Sequence, residues 1–435
     1  MPIEVYAMMP LDMVNADGSL KYSEEEVDRW FAKLATAQHG DASSGMMIDV
    51  CWGLIENDRP KKYNEAVLAG YDKIFSIAEK NMIPIQIVLS THKIGGNVGD
   101  SLEIPLPPFV TKHQDKENLF YVDILGSTSE DFISWAYNNK PIDSLGRTPL
   151  DMYQDYANLI NDRFVSKYNI IDIAISVGPA SELRYPSYQL NKGWDFPGVG
   201  SYCAYSDLMK EDLKSYAAAH GVYDLNLEDL GLSNYNDYIS DPTFYSEGKY
   251  LSQNGEIFLK WYFNRLVEHG EAIIKRVAPV FPNHVAKHVK VSGIHWFAKE
   301  GVIHGAEMAA GYIRVDDWNF NPYAEIAEML SRNDVNLAFT CAEMRDYEQP
   351  EYALSSPENL VRLVQASADE AAAMSIGVEN ALQRFDQSAF DTVFQHVTRN
   401  PQMRSVTWLR WGDDMEQDDN FNRYKNFIKR LGDQI

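Results

Sequence analysis

IIDIAISVGPASELRYPSY, residues 170–188, is the stretch on which the fold turns. Ile170–Val177 is a short run dominated by apolar residues, the pattern of a strand buried in a parallel sheet. Glu182 stands just beyond its end. Similar runs occur upstream at Ile3–Met9, Met46–Val50 and Pro84–Ser90. Downstream they recur at His288–Ile294, Leu337–Cys341, Ser375–Glu379 and Ser405–Arg410. Between them lie amphipathic stretches of helical period: SEEEVDRWFAKLATAQ from Ser23, YNEAVLAGYDKIFSIAEKN, PLDMYQDYANLINDRFVSK, EIFLKWYFNRLVEHGEAIIKRV, PYAEIAEMLSR and PENLVRLVQASADEAAA. Ser23 followed three residues later by Glu26 is a capping-box start.

Strands that alternate with helices specify a parallel sheet. Eight of them predict an α/β chain folded as a (β/α)8 TIM barrel. The connections are unequal, with roughly Thr91–Thr148 following the third strand and Gly178–Gly255 following the fourth. Loops this long are functional or carry substructure. Both leave the C-terminal ends of their strands, the face on which barrel active sites are built. They are expected to form a lobe over the active site, within a single catalytic domain spanning 1–435. No internal repeat, low-complexity tract or Pro/Gly/Ser linker divides the chain.

Hydrophobic residues make up 45% of the 435 residues, ordinary for a globular core. Aromatics reach 12%, with 25 Tyr and 9 Trp. Core packing accounts for such an excess, and stacking platforms for sugar rings are the sharper alternative. With 39 Lys and Arg against 63 Asp and Glu, the net charge is −24. That is the opposite of the field a nucleic-acid binder needs. A neutral substrate is compatible with it, and solubility alone would explain it. Cys51, Cys203 and Cys341 are odd in number, widely spaced and form no CxxC pair. This argues against a disulfide framework and a structural zinc site. The N-terminus, MPIEVYAMMPL, lacks a basic region followed by an apolar run. No window approaches the length of a membrane span, and no Asn-x-Ser/Thr acceptor occurs. A cytoplasmic monomer with no nucleic-acid or membrane partner is expected.

A chain of this architecture that hydrolysed glycosides would need two carboxylates at strand ends. One protonates the leaving oxygen, and the other activates water or attacks carbon. Glu182, beyond the fourth strand, and Glu379, closing the seventh in IGVENAL, meet that requirement. Either alone reads equally as a surface salt bridge or a helix cap. Their joint placement brings in the catalytic reading, and spacing carries the argument no further.

Several segments closely resemble β-amylases: MIDVCWG (Met47–Gly53), GGNVGD (Gly95–Asp100), GPASELRYPSY (Gly178–Tyr188), KVSGIHW (Lys290–Trp296), FTCAEMRD (Phe339–Asp346), GVENAL (Gly377–Leu382) and TWLR (Thr407–Arg410). They follow the family's order and cover essentially the whole chain. The resemblance implies a glycosidase that degrades starch, glycogen or related α-1,4-glucans by inverting, exo-acting release of β-maltose. It implies Glu182 as general acid and Glu379 as general base. Lys290 is a positive neighbour whose family counterpart contacts substrate. The remaining substrate contacts carried over are Asp49 on the terminal glucose, His92, Asp100 in the closing glycine-rich loop, His295, Thr340 of the inner loop, the Asn380 side chain, the Ala381 backbone and Arg410. Tyr188, Val98 and Leu382 match apolar channel positions, and Trp296 either stacks on sugar or packs in the core. GGNVGD as a phosphate cradle is a weak rival, because no Walker lysine follows and Asp100 would repel phosphate.

Some members of the family bind calcium. LIENDRPKKYN (Leu54–Asn64) looks plant-like instead, so neither a required metal nor a cofactor is expected. The closing FNRYKNFIKRLGDQI reads as the last barrel helix, leaving no stretch for an appended starch-binding module. The chain departs from the family at several points. Cys51 stands where a tryptophan is usual, Ser181 replaces the glycine before the acid, Ile94 takes the place of a thiol, and Ala342 that of a leucine. Two other functions fit the sequence less well. A catalytically weak, glucan-sensing relative would typically lack a catalytic carboxylate or Asp100, and all are present. An unrelated retaining barrel glycosidase would not share these motifs.

Overall fold

A computed structural model describes residues 2–96, 100, 102–316, 318–371 and 374–434. All eight anticipated strands form: β1 (Ile3–Met8), β2 (Ala42–Cys51), β3 (Ile85–Ser90), β4 (Ile170–Ile175), β5 (Ala286–Val291), β6 (Asn336–Phe339), β7 (Ile376–Glu379) and β8 (Met403–Trp408). They close in chain order into a parallel barrel, with β8 pairing back on β1 through Val5↔Val406. The (β/α)8 expectation holds.

Strand periodicity sorts the side chains into two sets. Val5, Ala7, Met46, Ile48, Val50, Ile85, Ile87 and Leu89 join the main core under the outer helices, while Tyr6, Met8, Met47, Val88 and Ala174 pack together as a second cluster inside the barrel. Lower in the barrel, polar residues share that inward parity. Gln86 Nε2 donates to Asp172 at 2.9 Å, and His288 Nδ1 lies 2.8 Å from the same carboxylate. At the upper end, the next inward positions form the rim of the active-site face.

The helices form because each buries one apolar stripe against the strands. Glu24–Ala35 buries Val27, Trp30, Phe31 and Leu34. Ser23 Oγ accepts from Glu26 N at 3.2 Å as the capping box requires. The return bond is not made, and the Glu26 carboxylate lies 4.0 Å from Arg29 instead. The full box occurs at Thr148–Asp151, opening helix Pro149–Ile160. Helix Asp418–Gln434 closes the ring, burying Phe421, Tyr424, Phe427, Ile428 and Leu431. Each such side chain contributes roughly 1.5–3 kcal/mol by leaving water.

The long connections after β3 and β4 carry their own structure and pack on each other. The first contains an antiparallel hairpin, Phe120–Val122 with Thr128–Ile133. The second contains helix Asp207–Ala219 and leads into the long helix Gln253–Val277. Tyr205 N donates to Val122 O at 3.0 Å, and Trp135 Nε1 to Tyr185 OH at 3.1 Å. Together they make the anticipated lobe above the C-terminal face. Among the described residues, no helix is long and apolar enough to cross a membrane.

Candidate active site

The inward ladders end around one cavity of about 500 Å³. It is lined by Asp49, His92, Asp100, Glu182, Lys290, His295, Thr340, Glu379, Asn380, Ala381 and Arg410, the complete set of site residues anticipated from sequence. Tyr188 and Leu382 line it too. Val98 lies outside the described residues.

Glu182 arrives by an unusual path. Ala180 and Ser181 both have positive φ, 54° and 71°. A Cβ on Gly178 would stand 2.3 Å from the Glu182 carbonyl, so only glycine allows that close approach. The left-handed backbone at Ser181 explains the family's glycine there. Its buried hydroxyl finds no partner, so the serine adds no hydrogen bond. Leu183 N donates to Lys290 O at 2.9 Å, sewing the Glu182 segment to the end of β5.

That strand end serves both carboxylates. Ser292 Oγ donates to Glu182 Oε2 at 2.8 Å, and Lys290 Nζ donates to Glu379 Oε2 at 2.8 Å. Ser292 and Lys290 are two residues apart, so both point inward. Arg184, itself buried, gives Glu182 Oε2 a second donor at 2.6 Å. Both partners of Glu182 take the same oxygen, leaving Oε1 for another task. Lys290 likewise leaves Oε1 of Glu379. Glu182 follows β4, beside the end of β5, and Glu379 closes β7.

The remaining groups cluster beside this pair. Asp49 Oδ1 accepts from Ser90 Oγ at 2.7 Å. His92 Nδ1 sits 2.9 Å from Ser176 Oγ, and burial pushes its pKa down to about 4. Burial does the same to His295, whose Nδ1 lies 3.3 Å from Ser355 Oγ. Both rings are therefore neutral near pH 7 and suit hydroxyl groups better than anions. Arg410 Nη1 donates to Met9 O at 2.9 Å, fastening the end of β8 to the chain after β1. Thr340 Oγ1 accepts from Gly293 N at 2.7 Å.

Two of the anticipated contacts have structural duties as well. The Asn380 amide nitrogen donates to Leu382 O at 2.7 Å and Leu409 O at 3.2 Å, and its oxygen accepts from Leu409 N at 2.6 Å. Ala381 N donates to Glu343 Oε2 at 2.9 Å, so its carbonyl is the backbone group left for substrate. Trp296 is mainly packed: its indole donates to Gly198 O at 2.9 Å, and its ring centroid lies 4.9 Å from that of Tyr188. One face of it still borders the cavity.

Sequence reasoning passed over Ser90, Arg184, Ser292 and Glu343. Arg184 and Ser292 had a detectable signal, since each lies two residues from a nominated group on the same segment. The Leu54–Asn64 stretch engages protein cations: Glu56 pairs with Arg147 at 2.7 Å. Among the described residues, no group of His, Cys, Asp or Glu is arranged to hold a metal.

Comparison with known proteins agrees with this geometry. The model for "Glycosyl hydrolase family 14" matches residues 6–434. Rice "Beta-amylase 2, chloroplastic" is 38% identical over 440 residues, 99% of this chain and 77% of the rice protein. Maize "Beta-amylase" is 35% identical over 99% of this chain and 88% of its own length. The solved catalytic domain of β-amylase from Paenibacillus polymyxa superposes with a TM-score of 0.80 at 25% identity, covering 99% of this chain and 98% of that one. The chain belongs to glycosyl hydrolase family 14 and is a glycosidase of the β-amylase kind.

Proposed function

We propose that this chain hydrolyses α-1,4-glucosidic bonds of starch, glycogen or related glucans from their non-reducing ends, releasing maltose with inversion. One observation carries the reading: two strand-end glutamates share one cavity, each with one oxygen held by fixed donors. Glu182 protonates the glycosidic oxygen through its remaining oxygen, Oε1. Arg184 and Ser292 hold Oε2, so the proton is delivered in one direction. Glu379, oriented by Lys290, uses its own Oε1 to take a proton from water, which attacks the anomeric carbon from the opposite face. The glycosidic bond breaks, the leaving sugar keeps the proton from Glu182, and Glu379 ends protonated. A proton must then pass back to Glu182 through solvent before the next turn.

Exo action follows from what lies beside the pair. Asp49, held by Ser90, offers a carboxylate to vicinal hydroxyls of the terminal glucose, and neutral His92 and His295 and the cationic Arg410 supply further polar contacts. Asp100 sits at the end of the glycine-rich loop, where closing over a bound chain would exclude bulk water. Gly95 on the same loop has φ 86°, and a Cβ there would meet Leu102 O at 1.8 Å. No step calls for a metal or cofactor. Glucan and maltose are the partners of the site, and a cytoplasmic monomer remains the proposal for the chain.

Glu182→Gln and Glu379→Gln test the assignment. Each should lower turnover of maltopentaose by about a thousandfold or more, since acid and base catalysis each contribute roughly 10²–10⁴. Glucan binding should persist in both. Near-normal turnover in either variant would remove that residue from its role. A wild-type chain that binds glucan but releases no maltose would instead be a sensor.

A further inference from the structure

One residue of the FTCAEMRD segment has no place in the mechanism above. Glu343 is fully buried. Its carboxylate is held by backbone: Oε2 accepts from Ala381 N at 2.9 Å and Oε1 from Leu382 N at 2.8 Å. Two successive N–H groups converging on one anion form a nest. The residues they belong to come directly after Glu379 and Asn380, and both line the cavity.

The segment bearing Glu343 is tied on both flanks. Ala342 N donates to Glu379 O at 3.2 Å, and Thr340 Oγ1 accepts from Gly293 N at 2.7 Å. Residues 340–344 thus join the end of β5, which carries Lys290, to the end of β7, which carries Glu379. A buried carboxylate is a costly way to fill space. Packing alone would be served by leucine or methionine, but either would take away the acceptor of the Ala381 and Leu382 amides. Burial pushes the carboxyl up to about 7, against the pull of the two amides.

We propose that Glu343 is a positioning residue for the hydrolysis. Its carboxylate clamps the Ala381–Leu382 backbone, and so holds Glu379, Asn380 and the cavity wall beside them in register with the segment that carries Thr340. The proposal rests on the reading of Glu379 as the base. Glu343 touches no reacting atom and acts only through these neighbours.

Glu343→Asp and Glu343→Gln in the full chain provide the test. Asp keeps the charge but withdraws it by one methylene. Gln keeps the length but turns an NH2 toward one of the amides. Turnover of maltopentaose per folded molecule should fall about ten- to hundredfold in both, the cost of a base displaced by a fraction of an ångström to one ångström. KM should change less than turnover, because the Asp49, His92 and Arg410 contacts are untouched while Asn380 and Ala381 shift. Hydrogen exchange of the wild type provides a readout that needs no variant: the amides of Ala381 and Leu382 should be strongly protected. An unchanged kcat with only a lower melting temperature would overturn the proposal, as would wild-type amides exchanging like open loop. An active Glu379→Gln would instead overturn the base assignment, and the exchange experiment tells these failures apart.

Discussion

Arg184, Ser292 and Lys290 fix how the two glutamates are oriented in their shared cavity. Glu182 has a guanidinium and a hydroxyl on one oxygen, whereas Glu379 has a single ammonium. Next to the acid, Ser181 holds a left-handed conformation with an unpartnered buried hydroxyl. Such a conformation costs a non-glycine residue about 1–3 kcal/mol. Glycine gives part of that back through a freer unfolded chain, about 0.4–1 kcal/mol. Ser181→Gly should therefore stabilise the fold by about 1 kcal/mol, read from the urea midpoint. A lower midpoint would mean that the hydroxyl makes a stabilising bond. At this scale the sequence showed the two glutamates as strand-end residues, and the resemblance supplied the remaining nominated contacts. Glu343 was not legible, and Arg184 and Ser292 were so only as neighbours of Glu182 and Lys290, because their roles depend on which atoms the register brings within about 3 Å of the two glutamates and the backbone beside them.

Elements were more legible than their ends. β2 begins at Ala42, well before the apolar Met46, because pairing with β1 from Ile3↔Ala42 draws ASSG into the sheet. β6 stops at Phe339, short of the expected Cys341, where Thr340 turns to Gly293 N and Cys341 adopts φ 59°. The hairpin in the β3 connection was foreseen only as unspecified substructure, since its strands are short and partly polar. Besides its apolar contacts with the core, an ionic cluster fastens that connection to the barrel. Arg147 is buried and binds Glu56 of the β2 loop at 2.7 Å and Asp143 at 2.6 Å, both nearly inaccessible to solvent. Asp155 is a third partner at 3.1 Å. Removing the cation strands two buried carboxylates, which destabilises a protein by about 3–5 kcal/mol. Arg147→Met should therefore unfold at a clearly lower temperature in a thermal melt. A melt close to the wild type would mean that the pair of carboxylates is neutralised or hydrated without it.

The whole molecule carries a net charge of −24 and keeps an acidic group inside the barrel. Glu4 is pushed up to about 7, first by burial and then by the nearby Asp172. A folded-state pKa above the unfolded one means that native Glu4 holds a proton the unfolded chain gives up. Its contribution is fully present below pH 4.5, the ordinary value, and is lost as pH rises through about 7. Glu343 acts in the same direction. The neutral buried His92 and His295 pull the other way, so the effect is read as a difference: Glu4→Gln should gain melting temperature relative to the wild type as pH rises from 4.5 to 7. An unchanged difference would show that Glu4 is ionised in the native barrel. The barrel itself was readable from alternating strands and helices because each strand carries a short apolar stretch between amphipathic helices. The polar interior of the barrel was not, since Glu4, Gln86, Asp172 and His288 lie within strands whose apolar character dominated the reading.

The central claim, that Glu379 activates water opposite a proton-donating Glu182, is tested most directly by proton NMR of fresh product from maltopentaose, read before mutarotation. Maltose appearing first as the β anomer is the predicted result, and it establishes inversion with Glu379 as base. Maltose appearing first as the α anomer would contradict it, and would make Glu379 a nucleophile of a retaining reaction.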